Sequence, residues 1–473
     1  MLILLLAIAI SLSLNFPHSD KLFTVPETCK ECHSKFYEDW SQTMHSNAAK
    51  DPYFIAKIRD EVKNAGNFEK ECAKCHTPAA KIQAEKEGKE ISLLGGFLKI
   101  DSEFYEFAID GVSCSLCHQI KKSRISGMFL VEKFAKKPER VIYGPFNPAY
   151  GIFMYRESGY YPSKLEIFRK AEFCGNCHVL YTPTIEKGEI VGYFPEQMTF
   201  YEWKNSVYNP EKPCQVCHMK EEVLKTSKTP ESLFLRDLRL HYFSGANLQI
   251  LSILGDVKGA ERAEEMLKSS ANIEIIRSKL ENDLLEVVVK IENKAGHKFP
   301  TGFPSKRAFI HFLVEDRNGV AFESGKVLEG KILGEEYPEK HYDVIDSEEE
   351  VQIYESVMQG KDGKATLDLL SAYGYLKDNR ILPLGFNYGN AHKDTVSIGV
   401  EDENFEAGYD TVTYLVKKKL EKPLKIRVEL LYQPIGSPFL ETLHDTEEKR
   451  ELLEKLKKVN LTTLVDSDEM LVE

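Results

Sequence analysis

The sequence predicts an α+β chain, with a mainly helical, loop-rich N-terminal domain followed by an immunoglobulin-like β-sandwich. Three observations carry that reading. All ten cysteines lie between Cys29 and Cys217, and they fall in one pentapeptide, C-x-x-C-H, that recurs five times. From about residue 272 the pattern changes to short β-branched and aromatic runs set between turn residues. The 473 residues suit two to three domains, divided here as an export segment over 1–17, the motif-bearing domain over 18–270, the sandwich over 271–440 and a C-terminal helix and tail over 441–473.

Composition narrows the class further. With 42% hydrophobic and 29% charged residues the chain reads as soluble and globular. A net charge of −12 leaves no basic surplus for neutralising phosphates, which argues against a nucleic-acid partner. Residues Leu2 to Leu14 are apolar apart from Ser11 and Ser13, and no charged side chain appears before Asp20. Such a run is too short to span a bilayer, for which about 20 residues are needed, and it suits a secretory signal cleaved near Ser13 or Ala9. The expected location is therefore outside the cytoplasm, periplasmic or at the cell surface.

The motifs are Cys29-Lys-Glu-Cys32-His33, Cys72-Ala-Lys-Cys75-His76, Cys114-Ser-Leu-Cys117-His118, Cys174-Gly-Asn-Cys177-His178 and Cys214-Gln-Val-Cys217-His218. This is the pattern of c-type haem attachment. Cysteines at i and i+3 share one face of a helical turn, so two thioethers can hold one porphyrin edge while the next residue, histidine, reaches the iron as proximal ligand. A disulfide framework does not place a histidine after every second cysteine. Zinc sites join two C-x-x-C pairs and would leave one of the five over. Five c-type haems are expected, held by His33, His76, His118, His178 and His218. The span from Cys29 to His218 supplies about 38 residues per haem, too few for separate cores, so the haems must share one core and lie close together.

A low-spin carrier needs a second axial ligand on each iron. Eight histidines remain. His45 lies one short helix after the first motif, His241 precedes an amphipathic stretch from Leu248 to Leu267, and His297 sits in a turn-rich loop after a strand; these three are the distal candidates. His311 reads as a strand side chain, His341 as solvated beside the acidic stretch from Glu335 to Glu350, and His392 and His444 as loop residues. His18 falls near the expected mature N-terminus. Three candidates for five haems leave a methionine, an open iron or a ligand from a partner chain to complete the set.

In the C-terminal half, strands are expected over Leu284 to Glu292, Ala308 to Asp316, Val320 to Ser324, Asp410 to Val416 and Leu424 to Tyr432, with a hairpin turn at Asp316-Arg-Asn-Gly319. A helix is expected from Thr446 to Lys458. In the N-terminal half the expectation is short helices at the motifs and little sheet, with Tyr105 to Ile109 and Glu189 to Phe194 ambiguous.

With these motifs in place the chain resembles exported multihaem c-type cytochromes of the broad nitrite reductase and hydroxylamine oxidoreductase-like superfamily, and among them those with a C-terminal β-domain opened by G-H-x-x-P-T-G. The matching stretches are Gly296-His297-Lys-Phe-Pro300-Thr301-Gly302-Phe-Pro304, Gly111-Val-Ser-Cys114, Tyr143-Gly-Pro145, Pro195-Glu-Gln-Met-Thr199, Glu202-Trp203 and Lys377-Asp-Asn-Arg-Ile-Leu-Pro383. The resemblance implies distal roles for His45, His241 and His297. It also implies a ligand in the loop after Pro145, where Met154 is the nearest soft donor and a core methionine is the alternative. The C-x-x-C-K site of pentahaem nitrite reductases is absent from the sequence.

The leading expectation is electron transfer along five haems between redox partner proteins, or from a membrane quinol-oxidising complex to an extracytoplasmic acceptor. One alternative is a haem-dependent oxidoreductase reducing a small nitrogen or sulfur oxyanion at one open iron, assisted by groups such as Tyr143, Tyr155 or Lys164. Another is self-association into a conductive filament. Lys121, Lys122, Arg124, Lys133, Lys136 and Lys137 form a basic cluster that could steer a partner or pair with haem propionates.

Overall fold

Short helical turns carry all five motifs in a computed structural model of the chain, which describes residues 21–66, 68–125, 130–131, 140–148, 151–227 and 235–473. The expected export segment, His18, Lys133, Lys136 and Lys137 lie outside the described residues. Among those described, no helix is long and apolar enough to cross a membrane.

The first motif lies in Pro26–Ser41, which starts on a proline at its first turn and kinks at His33. The others lie in or at the ends of Glu69–His76, Cys114–Cys117, Ala171–Cys174 and Cys214–His218. Between them, Pro52–Ala65 is capped by Asp51, whose carboxylate accepts from Tyr53 N at 2.9 Å. The stretch from Leu248 breaks into Leu248–Leu254 and Val257–Lys268 at Gly255, which takes a left-handed φ of 85°. Tyr105–Ile109 is helical, and Glu189–Gln197 is a strand paired with Leu180–Glu186.

Sheet is more plentiful in this half than expected. Besides that hairpin, Ile120–Lys122 pairs with Leu130–Val131, Val141–Gly144 runs parallel to Tyr161–Lys164, and Glu221–Lys225 pairs with Leu235–Arg239. The ladders fall between the later motifs or, for the last, just after the fifth, where the chain must turn back on itself, and several carry mixed polar sequences with little β signal of their own.

Two main sheets with one shared core build the C-terminal half, with smaller ladders at Val327–Leu328/Lys331–Ile332 and around Ser356–Gln359 beside them. One has the order Val344–Ile345, Tyr409–Lys417, Leu284–Asn293, Ala271–Glu281; the other has Gly319–Ser324, Arg307–Asp316, Leu424–Gln433, Thr463–Val472. The period is plain in Leu424–Gln433, where Leu424, Ile426, Val428 and Leu430 are buried while Lys425, Arg427 and Glu429 point outward. Across the layers Phe312 stacks on Tyr414 with centroids 3.9 Å apart. The order corresponds to strands A-B-E and C′-C-F-G of an immunoglobulin domain. It departs at Val344–Ile345, which is two residues long and runs parallel to its neighbour. Asp316 pairs with Gly319 at the expected hairpin.

The C-terminus corrects an expectation. After the helix Glu447–Leu456 the chain is not a tail but the strand Thr463–Val472, which pairs along Leu424–Gln433. Asp466-Ser467-Asp468-Glu469 has poor β propensity, and the strand is held by its surroundings: Asp466 and Asp468 carboxylates accept from Ile273 N (3.0 Å) and Ile275 N (2.9 Å) on the facing sheet. The helix before it returns to the motif-bearing half, where Arg59 meets Glu448 at 2.9 Å and Asp60 meets His444 Nδ1 at 2.5 Å.

A buried charge network joins the halves. Arg380 bridges Asp378 (2.7 Å) and Glu202 (3.3 Å), and Lys298 Nζ meets Asp378 at 2.7 Å. Glu202 also accepts from Lys298 N at 3.1 Å and from Thr301 Oγ1 at 2.6 Å. Burial opposes ionisation of Asp378, but Arg380 and Lys298 outweigh it and hold the carboxyl below the ordinary range. Arg380→Met strips Glu202 of its cation and is expected to lower the unfolding free energy by about 3–5 kcal/mol in denaturant titration of the holoprotein. The stability that Asp378 adds is complete above its unfolded value, about pH 3.9, and is lost as pH falls through its lower folded value. Acid titration of Asp378→Asn against the native protein should therefore show curves that converge only below about pH 3.9.

Candidate functional site

The motifs converge on one cavity of about 1290 Å³, larger than the roughly 300–1,000 Å³ of an ordinary small-ligand site. His33, His76, His118 and His178 line it, with His45 and His241. None of the ten cysteines is in a disulfide. Thiols from different motifs adjoin: Cys29 with Cys114, Cys75 with Cys177, and Cys174 with Cys214. Burial raises the Cys117 thiol to about 12 and the Cys72 thiol further.

Five of the histidines share one orientation device. Nδ1 donates to a backbone carbonyl in His33 (Thr226, 2.7 Å), His76 (Ala48, 2.7 Å), His118 (Tyr143, 2.6 Å) and His218 (Ser244, 2.6 Å), and in His297 (Lys298, 2.9 Å). A carbonyl only accepts, so the proton sits on Nδ1 and the Nε2 lone pair is free for a metal. Burial lowers His45 and His76 to about 4 and His178 and His241 to about 3, with the neighbouring His218 adding to the effect at His45. These rings are neutral, the state in which imidazole ligates.

Three pairs of rings face one another. His118 and His241 have centroids 6.1 Å apart at 16°, His218 and His297 6.2 Å at 20°, and His45 and His178 6.3 Å at 68°. Two imidazoles on opposite sides of one metal, each bound at about 2.0 Å, place their centroids about 6 Å apart. The residues therefore fit a hexacoordinate iron at the third, fourth and fifth motifs. Among the described residues no second imidazole faces His33 or His76; the His76 ring stacks on Phe54 with centroids 3.4 Å apart.

Each distal candidate is fixed by the chain around it. His45 lies in Met44–Asn47, capped by Thr43, and its carbonyl accepts from Val112 N at 2.8 Å. Gly111 makes that approach possible: its φ is 58°, and a Cβ there would lie 2.4 Å from the His45 oxygen. His241 meets Phe36 and Phe243 edge-on at 5.0 and 5.4 Å. The His297 loop is tied by Asn293 Nδ2, which donates to His297 O (2.8 Å), Ile381 O and Leu382 O. Gly296 passes so close to Trp203 and Tyr208 that a Cβ would sit 3.1 Å from each ring.

Other sequence candidates separate clearly. Met154 lines the cavity from the helix Gly151–Ser158. Tyr143 also lines it, and its backbone clasps His118 in both directions. Tyr155 packs on Tyr161 and Lys164 pairs with Glu166, and neither lines the cavity. His311 is a strand residue held between Glu429 and Glu323. His392 stacks on Tyr201. The acidic stretch is partly structural, since Glu335 pairs with the buried Arg307 and Glu339 accepts from Tyr342 Oη. Lys121, Lys122 and Arg124 are exposed.

His341 is buried, not solvated. Its Nδ1 accepts from Gln352 Nε2 (2.8 Å) and Asn379 Nδ2 (3.1 Å), so Nε2 carries the proton and donates to Asp402 at 3.0 Å. Both amides are locked, because their oxygens accept from Tyr342 N and Glu355 N. With Asp410 the trio has the spacing of a metal site, but a protonated Nε2 is a donor, and the group is a buried hydrogen-bonded network. Its charged neighbours in sequence concealed this.

The comparisons with known proteins agree with this geometry. The family "Cytochrome c554 and c-prime" matches residues 28–119. The crystal structure of a penta-heme cytochrome c552 from Thermochromatium tepidum superposes with a TM-score of 0.58 at 16% identity, covering 95% of this chain and 99% of that one. A search of curated protein sequences finds no match. Residues 28–119 thus resemble that family, and the fold over nearly the whole chain is similar to that of the penta-heme cytochrome, which supports c-type haem binding at the C-x-x-C-H motifs. The sequence does not reveal the carbonyls that orient these histidines, since Ala48, Tyr143, Thr226 and Ser244 act through backbone atoms that no motif marks.

Gly111→Ala forces either the left-handed backbone or the His45 carbonyl to move, and it is expected to cost more than about 1 kcal/mol. Gly66→Ala, at φ 86° with nothing within 4 Å, carries the backbone strain alone and should cost less. Denaturant titration of both holoprotein variants checks the difference.

Proposed function

We propose that the chain is an exported pentahaem electron-transfer protein, with Cys29 and Cys32, Cys72 and Cys75, Cys114 and Cys117, Cys174 and Cys177, and Cys214 and Cys217 as the attachment pairs. The observation that carries this is the set of three opposed imidazole pairs at 6.1–6.3 Å around motifs whose thiols adjoin. When bound, haem supplies iron that cycles between two oxidation states and so passes single electrons. The protein's own part is to orient, insulate and connect. His33, His76, His118, His178 and His218 serve as proximal ligands, and His241, His45 and His297 as distal ligands of the third, fourth and fifth haems. Thiol contacts between motifs one and three, two and four, and four and five, joined by the electrostatic effect of Cys117 in motif three on Cys174 in motif four, support a continuous path with short steps. The path would run between extracytoplasmic redox partner proteins, or from a membrane quinol-oxidising complex.

Met154 is the proposed sixth ligand on the first haem. It lines the cavity on the helix just before Tyr160, which lies beside Cys29. The second haem supports a further reading, because among the described residues no second imidazole faces His76 as one faces His118, His178 and His218. An iron left open there would bind a small oxyanion, and the protein would then act as an oxidoreductase.

Haem content by pyridine haemochromogen, set against protein by amino-acid analysis, is expected to give five haems per chain, falling to four in Cys214→Ala/Cys217→Ala. Fewer than five in the native protein, or no loss in the variant, contradicts the assignment.

A further inference from the structure

His297 reaches the fifth motif from the far side of the molecule. It lies in the loop between Leu284–Asn293 and Arg307–Asp316, both strands of the β-domain, whereas His218 belongs to the motif-bearing half. His45 and His241 come from the motif-bearing half itself. Of the three opposed imidazole pairs, the one at the fifth motif therefore depends on how the β-domain is seated.

The peptide bond between His297 and Lys298 is held from both halves. Its carbonyl, His297 O, accepts from Asn293 Nδ2 of the β-domain at 2.8 Å. Its amide, Lys298 N, donates to Glu202 Oε2 at 3.1 Å, and Glu202 lies on the helix Thr199–Lys204 that follows the fourth motif. The same carboxylate oxygen accepts from Thr301 Oγ1 at 2.6 Å, and Thr301 Oγ1 lies 2.9 Å from Thr199 Oγ1 at the start of that helix. The ring follows this backbone, because His297 Nδ1 donates to Lys298 O at 2.9 Å. Glu202 is completely buried, and its second oxygen faces Arg380 at 3.3 Å. An amide nitrogen in place of either oxygen would set a donor against Lys298 N or against the guanidinium, so only a carboxylate satisfies both sides.

We propose that Glu202 is the positioning residue for His297: it fixes the His297–Lys298 peptide from the motif-bearing half, and the fifth iron stays six-coordinate only while that hold is intact. The inference rests on the reading of His297 as distal ligand of the fifth haem. The His218 and His297 centroids are 6.2 Å apart, the separation of two rings on one metal. A metal–imidazole bond of about 2.0 Å leaves little room for the loop to drift, and partners behind a ligating histidine fix its orientation. Glu202 acts on the ligand through the backbone, as such a partner does.

The test is low-temperature EPR with spin integration on the oxidised native holoprotein, His297→Ala and Glu202→Gln, each with and without added imidazole. His297→Ala identifies the fifth-haem signal as the single low-spin component that it removes. Glu202→Gln keeps the side-chain shape and is expected to lose that same component to a high-spin signal, which added imidazole converts back to low spin, with the other components and the haem content unchanged. A Glu202→Gln protein that keeps the native spectrum and only unfolds at lower denaturant overturns the proposal, since Glu202 would then be structural. Losses spread over several components overturn it as well. If Glu202→Gln yields no holoprotein, Thr301→Val decides, because it removes one of the two donors to Glu202 and keeps the shape: a shift of the fifth-haem component alone is expected, and an unmoved component overturns the proposal. A His297→Ala protein that retains every low-spin component rejects the ligand assignment on which the inference rests.

Discussion

About 38 residues per motif cannot enclose a planar macrocycle and also build a core of their own, and most of the architecture answers that shortage. The motif turns are only four to eight residues long outside the first helix, too short to be stable alone. They are held from outside. Backbone carbonyls take the imidazole protons of His33, His76, His118, His218 and His297, small two-stranded ladders flank the later motifs, and the β-domain closes one side of the cavity with Ser305, Lys306 and Pro434. The loop that delivers His297 is bound into that domain by Asn293 and by the Glu202, Arg380, Asp378 and Lys298 network. Ligation and domain packing are thus one problem in this chain.

The same shortage explains why charge is buried so freely. An interior shaped to hold several large groups has few apolar side chains to spare at its margins, and the space is filled by ionisable residues satisfied in networks. The Arg380 network is fully paired and fixes geometry.

Much of this was legible in the sequence where chemistry or period was strict. The cysteine pentapeptides marked the motif turns, and the alternation in Leu284–Asn293, Arg307–Asp316 and Leu424–Gln433 marked the sandwich within a residue or two. His45, His241 and His297 were distal candidates from the sequence, and only the fold could say which motif's histidine each one faces. What stayed hidden depended on long-range contact. Thr463–Val472 is a strand because a neighbour's edge accepts it, and His341 is buried despite an acidic sequence context because Gln352 and Asn379 meet its ring. The carbonyl acceptors left no side-chain trace at all.

The central claim is that three irons are closed by paired imidazoles already in position. Low-temperature EPR of the oxidised holoprotein, with spin integration before and after adding nitrite, tests it most directly. The account predicts low-spin signals from at least three of the five irons that nitrite leaves unchanged, with any ligand-sensitive signal confined to the remaining two. High-spin or nitrite-sensitive signals from three or more irons would contradict it.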